Sequence, residues 1–146
     1  MSVSIKCSRS PELTAEELAL LKEIKESDRY AVANFELRSS GNDEIYTGAM
    51  ENVHLLDKDE AMTPVVERGE LLETLKEKGL IVLNYDLGVY VKSDYVIFKE
   101  SKLYKELEEA VSEAKEQGFT FDILYMAKGR AALTVKGKYA LSKDNL

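Results

Sequence analysis

Between Ser101 and Gly118 the apolar residues Leu103, Leu107, Ala110, Val111 and Ala114 recur at the helical period, and this is the firmest constraint in the chain. Ser101 is placed to cap the first turn, and Gly118 to end the helix with Phe119 folding back behind it. On the outer face, Lys105 and Glu109 are spaced as an i,i+4 pair. A helix with such a stripe has to bury it against another layer. The flanking segments read as strands, so the layer expected is a sheet.

Two further helices are signalled. Thr14 and Glu17 have the spacing of a capping box, with Leu13 and Leu18 at the staple positions around it. The spacing predicts a helix from about Ala15 to Glu26, burying Leu18, Leu21 and Ile24 with Leu20 beside them. A second begins at Thr63 with Pro64 in the first helical position, where its missing N–H is harmless. Val65, Leu72 and Leu75 line its inner side, widened by Val66 and Leu71, and Gly79 is its left-handed C-terminal cap. Gly69 inside this helix implies close packing or a break.

Strand signals fill the rest. Tyr30 to Leu37 alternates, with Ala31, Ala33, Phe35 and Leu37 on one face, although the same stretch would also pass as a helix. Ser39 to Asn42 is a turn, and Ile45–Thr47 and Asn52–Leu56 read as short strands with a bulge at Gly48. Asp57 to Glu60 is a solvated acidic connection. Leu80–Tyr85 and Val89–Val91 form a hairpin about Asp86-Leu87-Gly88, and Tyr95–Phe98 a third strand. Phe119–Met126, Arg130–Val135 and Tyr139–Leu141 complete a meander with turns at Lys128-Gly129 and Lys136-Gly137. The fold class is therefore α+β: a largely antiparallel sheet of hairpins with about three helices on it. The pattern helix, glycine, strand, turn, strand occurs at 64–91 and 101–135, so α-β-β repeats are an option, with residues 15–41 as a degenerate third copy. Residues 1–10 read as a flexible N-terminal segment, 11–142 as one domain and 143–146 as a tail.

Composition places this chain of 146 residues among globular proteins, with 45% apolar and 32% charged residues. A chain of this length buries about 70% of its extended surface and needs no staple. One cysteine, no long apolar stretch and no secretory signal point to the cytoplasm and away from membranes. The net charge of −7 disfavours general binding to nucleic acid. It is uneven: residues 1–60 carry 7 basic and 13 acidic side chains, whereas residues 101–146 carry 8 and 7. In that last segment Lys128, Arg130, Lys136, Lys138 and Lys143 lie close in sequence, with Tyr125 and Tyr139 nearby. They form either a solvated hairpin edge with protective lysines or a small strip that binds an anion or nucleic acid.

The run Glu70-Leu71-Leu72-Glu73-Thr74-Leu75-Lys76-Glu77-Lys78-Gly79-Leu80-Ile81, followed by Asp86-Leu87-Gly88 between strands, resembles part of a winged-helix domain. The resemblance spans residues 63–91. It implies that the helix from Thr63-Pro64 is a recognition helix feeding a two-stranded wing, that the 15–26 helix is the first of the fold, and that the protein regulates transcription through the major groove. The exposed part of that helix carries Glu67, Glu70 and Glu73 with Arg68.

Catalytic signatures are few. Cys7 and His54 are the one cysteine and the one histidine, so a Cys-His dyad has a single possible composition and a metal site rich in these ligands has none. No phosphate loop, dinucleotide fingerprint or nucleophile elbow is present, and no cofactor is called for. Eight tyrosines stand out, of which Tyr85, Tyr90 and Tyr95 fall on the expected central hairpins and make a candidate recognition surface. The leading expectation is a non-catalytic protein-interaction or regulatory module with another protein, or itself, as partner. The alternatives are a winged-helix regulator and a small enzyme working with carboxylates, lysines and tyrosines.

Overall fold

The computed structural model describes residues 13–118 and 120–144. Helix α1 (Ala15–Glu26) starts at the capping box: the Glu17 N–H donates to Thr14 Oγ1 at 3.1 Å and the Thr14 N–H to Glu17 Oε1 at 2.8 Å. Leu20, Leu21 and Ile24 are buried and Leu18 half-buried, so the stripe centres nearer Leu20 than expected. Glu17 is itself buried, with Lys78 Nζ 3.0 Å from both carboxylate oxygens. Burial opposes the Glu17 charge, but the Thr14 N–H and the Lys78 ammonium outweigh it and hold its pKa below the ordinary value.

Strands β1 (Tyr30–Ser39) and β2 (Asn42–Val53) form a long hairpin about Ser40-Gly41. With β3 (Ile81–Asn84) and β4 (Ile123–Leu133) they make an antiparallel sheet in the order β2-β1-β4-β3. The two short strands expected after residue 44 are one strand. Between the Ala33–Val53 and Glu36–Gly48 pairs, β2 takes five steps to the three of β1, so the bulge expected near Gly48 is present. His54 to Leu56 lie beyond the strand end.

The first half of β1 is buried on both faces. Ala31, Ala33 and Phe35 point into a core with Val53, Val65, Phe98 and Leu103, while Tyr30 and Val32 point into a second with Leu21, Leu72, Ile81 and Leu141. A strand with two buried faces reads as a continuous apolar run, which is why Tyr30–Ala33 is compatible with either period.

Helix α2 (Met62–Glu77) starts at Met62 with Ala61 as a cap that offers no side-chain bond, not at Thr63, and Pro64 is its third residue. The first turn still has no use for the missing N–H, so proline is harmless there. The helix ends in a Schellman motif: Gly79 has φ +77°, the Leu80 N–H donates to the Leu75 carbonyl, and the Gly79 N–H to the Lys76 carbonyl.

The second half departs further from expectation. No strand forms at 89–91, and residues 85–91 make an irregular connection in place of the expected hairpin about Asp86-Leu87-Gly88. Tyr95–Phe98 is not a strand: a 3₁₀ turn (Lys92–Tyr95) leads into α3 (Val96–Glu100). Tyr95 and Phe98 are both buried and stack at 5.8 Å, a three-residue spacing that a strand cannot put on one face. Helix α4 (Lys102–Glu116) is capped by Ser101 Oγ, which accepts from the Tyr104 N–H at 3.0 Å. Gly118 ends it with φ +81°, and Phe119 lies outside the described residues.

The expected C-terminal meander is one strand and one helix. Strand β4 runs straight through Lys128-Gly129, where Gly129 pairs with Val32. A Cβ at Gly129 would run into the Tyr85 ring, so this glycine serves close approach and not a turn. Residues 135–144 form α5 (Val135–Asp144) in place of the expected turn at 136–137 and strand at 139–141, and α5 takes in two residues of the expected tail. Thr134 Oγ1 accepts from the Gly137 N–H at 3.0 Å, and a Cβ at Gly137 would collide with the Leu80 carbonyl. The sequences 64–91 and 101–135 thus each hold a helix and one strand, and the one helix-hairpin unit among the described residues is α1-β1-β2.

Candidate interaction cleft

Helix α4 is only partly seated. At its start Leu103 is buried and Tyr104 meets Phe35 edge to face at 5.6 Å. Further along, Leu107, Val111 and Ala114 are half-buried and Ala110 is exposed. Between this lifted stripe and the hairpin lies a cleft of about 500 Å³, lined on the sheet side by Leu37 and Ala49 and closed at one end by Thr120 and Phe121. The volume is typical of ligand sites. Among the described residues Thr120 is the one lining residue with a polar side chain, and the rest of the lining is apolar.

The rim is acidic. Ala110 is the exposed member of the stripe, so the cleft opens on its flank of α4. Glu106 and Glu113, at i−4 and i+3 from Ala110, are exposed on that flank. Across Ala49 a second cleft of about 300 Å³ continues between β2 and α2, lined in part by Glu51, Asn52, Glu70 and Glu73. Asn52 organises it from the left-handed conformation, with φ +54°. Its N–H donates to Asn34 Oδ1 at 2.9 Å, its amide to Glu73 at 3.1 Å, and its Oδ1 accepts from the Tyr85 hydroxyl at 2.6 Å. The Lys76 bond to Glu73 holds that carboxyl below its ordinary pKa.

The back of the hairpin is closed by its own side chains. The Arg38 guanidinium lies 3.8 Å from the Tyr125 ring centroid and 5.6 Å from that of Tyr46, and bonds Glu36 at 2.7 Å. Asp122 ties down the turn, accepting from the Ser40 N–H at 2.8 Å and the Ser40 hydroxyl at 2.6 Å.

The tyrosines expected to form one surface separate. Tyr95 is 3% exposed and donates to the Gly129 carbonyl at 2.6 Å, and burial raises its pKa. Tyr85 is half-buried on Asn52, and burial raises its pKa too. Tyr90 alone of the three is on the surface, with Lys128 Nζ 5.1 Å from its ring centroid.

The basic strip separates as well. Lys128 and Arg130 lie on β4, and Arg130 Nη2 donates to the Val89 carbonyl at 3.3 Å. Lys136 and Lys138 lie on α5, beyond the opposite end of β3, and Lys136 Nζ donates to the Lys78 carbonyl at 2.9 Å. Lys136 and Thr134, which donates to the Gly79 carbonyl at 2.7 Å, cap the end of α2.

His54 belongs to a structural cluster. Its Nδ1–H donates to the Ala31 carbonyl at 2.6 Å and its ring stacks on Tyr30 at 3.7 Å. Burial holds its pKa below the ordinary value. Arg68 donates to the His54 carbonyl at 2.5 Å and to both Glu60 oxygens, at 3.1 and 2.7 Å, so it clamps the 54–60 connection onto α2. Glu60 is therefore a tied, half-buried member of a connection expected to be solvated throughout. Cys7, the one thiol that could complete a dyad with His54, lies outside the described residues.

Among the described residues no group of His, Cys, Asp or Glu is arranged to hold a metal ion, and no helix is long and apolar enough to cross a membrane. Comparison with protein families, with curated proteins and with solved structures finds no match.

Proposed function

We propose that this protein is a non-catalytic interaction module that holds an apolar, basic-flanked segment of a partner protein in the cleft between α4 and the β1–β2 hairpin. The observation that carries the reading is the half-seated stripe of α4. Leu107, Ala110, Val111 and Ala114 keep the helical period of a buried face yet line an open 500 Å³ cleft. The acidic rim selects the charge of what enters, and the lining, apolar among the described residues, suits an apolar anchor. Protein is the favoured occupant over nucleic acid, because a chain of net charge −7 repels phosphates and Arg130 and Lys136 are engaged with backbone carbonyls.

A displayed library of random peptides, selected in parallel on the wild-type protein and on Ala110→Trp, tests this. Ala110 is exposed, so the indole fills the cleft without disturbing the core. Wild type is expected to enrich peptides combining apolar anchors with Lys or Arg, and Ala110→Trp to bind them at least about tenfold more weakly. Peptides that bind both proteins equally would place the interaction elsewhere.

A further inference from the structure

The cleft is bordered by a sheet edge, and the two edges of this sheet are finished differently. Strand β3 is four residues long and lies at the edge of the sheet away from the cleft. Strand β2 is twelve residues long and contains neither lysine nor proline, two residues that blunt an edge, and its pairing with β1 is regular from Tyr46 to Gly48 and slips on either side of that stretch. Helix α2 covers one end of it: a Cβ at Gly69 would lie 2.8 Å from the Glu51 carbonyl oxygen. Towards the turn nothing similar occurs. Glu44, Tyr46, Thr47 and Gly48 are all exposed, on both faces of the strand. Among the described residues no backbone group from another element bonds to the outer side of this stretch, and at its start the Glu44 N–H donates to Asn42 Oδ1 at 3.0 Å.

From this we infer that the partner segment binds as an added strand along the outer edge of β2 between Glu44 and Gly48, extending the sheet beneath α4. The inference rests on the cleft reading and specifies its mode of recognition. Strand addition supplies affinity through main-chain hydrogen bonds, and alternate side chains of the guest supply specificity. Ala49 belongs to both features: it is a residue of β2 and a wall of the cleft. A guest strand beside it turns every second side chain towards Ala110 and Ala114, whose small size leaves room for an apolar anchor. The charge settles which guest. A second copy would bring two edges that each carry Glu44 together, between molecules of net charge −7. A foreign strand with lysines between its apolar residues meets the same carboxylates with the favourable sign.

The test uses a synthetic peptide of about nine residues alternating valine or leucine with lysine, and two derivatives N-methylated on alternate residues, one in each phase. N-methylation deletes backbone donors along one edge of the peptide and keeps every side chain. Strand addition predicts that the parent binds the full chain, that one phase loses about tenfold or more in affinity, and that the other phase is nearly unaffected. Ala110→Trp weakens all that bind. If both phases lose affinity equally while Ala110→Trp still abolishes binding, the cleft reading stands and strand addition is wrong. If a helical apolar-basic peptide binds and the alternating one does not, the outcome is the same. Binding of one phase that ignores Ala110→Trp would keep the edge and remove the cleft. A dimer formed by the protein alone and broken by Thr47→Pro would show that a second copy occupies the edge, against the inference.

Discussion

The two halves of β1 sit in contrasting surroundings. From Tyr30 to Phe35 the strand is enclosed by α1, α2 and α5 on one side and by α3 and the start of α4 on the other, and five of these six residues are buried. From Glu36 onward its outer face carries, among the described residues, the Arg38, Tyr46 and Tyr125 stack, while its inner face looks through Leu37 into the open cleft. The apolar surface is of the same kind at both ends, but only one end finds partners within the described residues. Burial at the first end is spent on stability, and apolar surface left at the second is available for association.

Substitutions at the two ends should therefore separate stability from binding. The largest effect is expected for Phe35→Ala, where loss of a fully buried ring should cost about 3–5 kcal/mol of unfolding free energy by urea titration. Gly137→Ala, which forces a methyl against the Leu80 carbonyl, should cost about 1–3 kcal/mol by the same measurement, because the shift needed is in backbone and not in a flexible side chain. Thr14→Ala should remove about 1 kcal/mol by opening the capping box of α1. At the open end, Val111→Ser should leave the urea midpoint nearly unchanged and weaken selected peptides; a stability loss as large as that of Gly137→Ala would erase the contrast.

The smallest expected effect is one of pH. The folded pKa of His54 lies below its ordinary value near 6.5, so on acidification the unfolded chain takes up its proton first. The contribution of neutral His54 is then fully present above about pH 6.5 and is lost as the pH falls from there towards the folded pKa. A second loss follows below about pH 4.5, where Glu17 and Glu60, both held below their ordinary values, are protonated. His54→Gln should abolish the first phase of a pH titration of stability and keep the second.

Much of the enclosed end was legible in the sequence, because its signals are local. The Thr14 and Glu17 box, the alternation through Phe35, the Val65, Leu72 and Leu75 stripe and the Gly79 cap each follow from short-range rules, and the structure bears them out. The errors cluster where glycine carries two meanings. Gly129 and Gly137 resemble turn residues, yet they are there because Tyr85 and Leu80 pass too close for a Cβ, a cause that lies about 50 residues away along the chain. Tyr95–Phe98 reads as a strand because four apolar residues fit either period, whereas the three-residue spacing of the two aromatics is the signal of a helix. The stripe of α4 was visible, but whether it is sealed depends on which strand lies opposite and how far the helix lifts, and no local pattern encodes that.

The most direct measurement is a paired urea titration of Leu103→Ala and Leu107→Ala, two leucines one turn apart on the same stripe. If α4 is seated at its start and open beyond, Leu103→Ala should cost about 2–4 kcal/mol and Leu107→Ala less than half as much. Equal losses would mean that the cleft is closed by the protein itself in solution, and the account of α4 as a docking surface would fail.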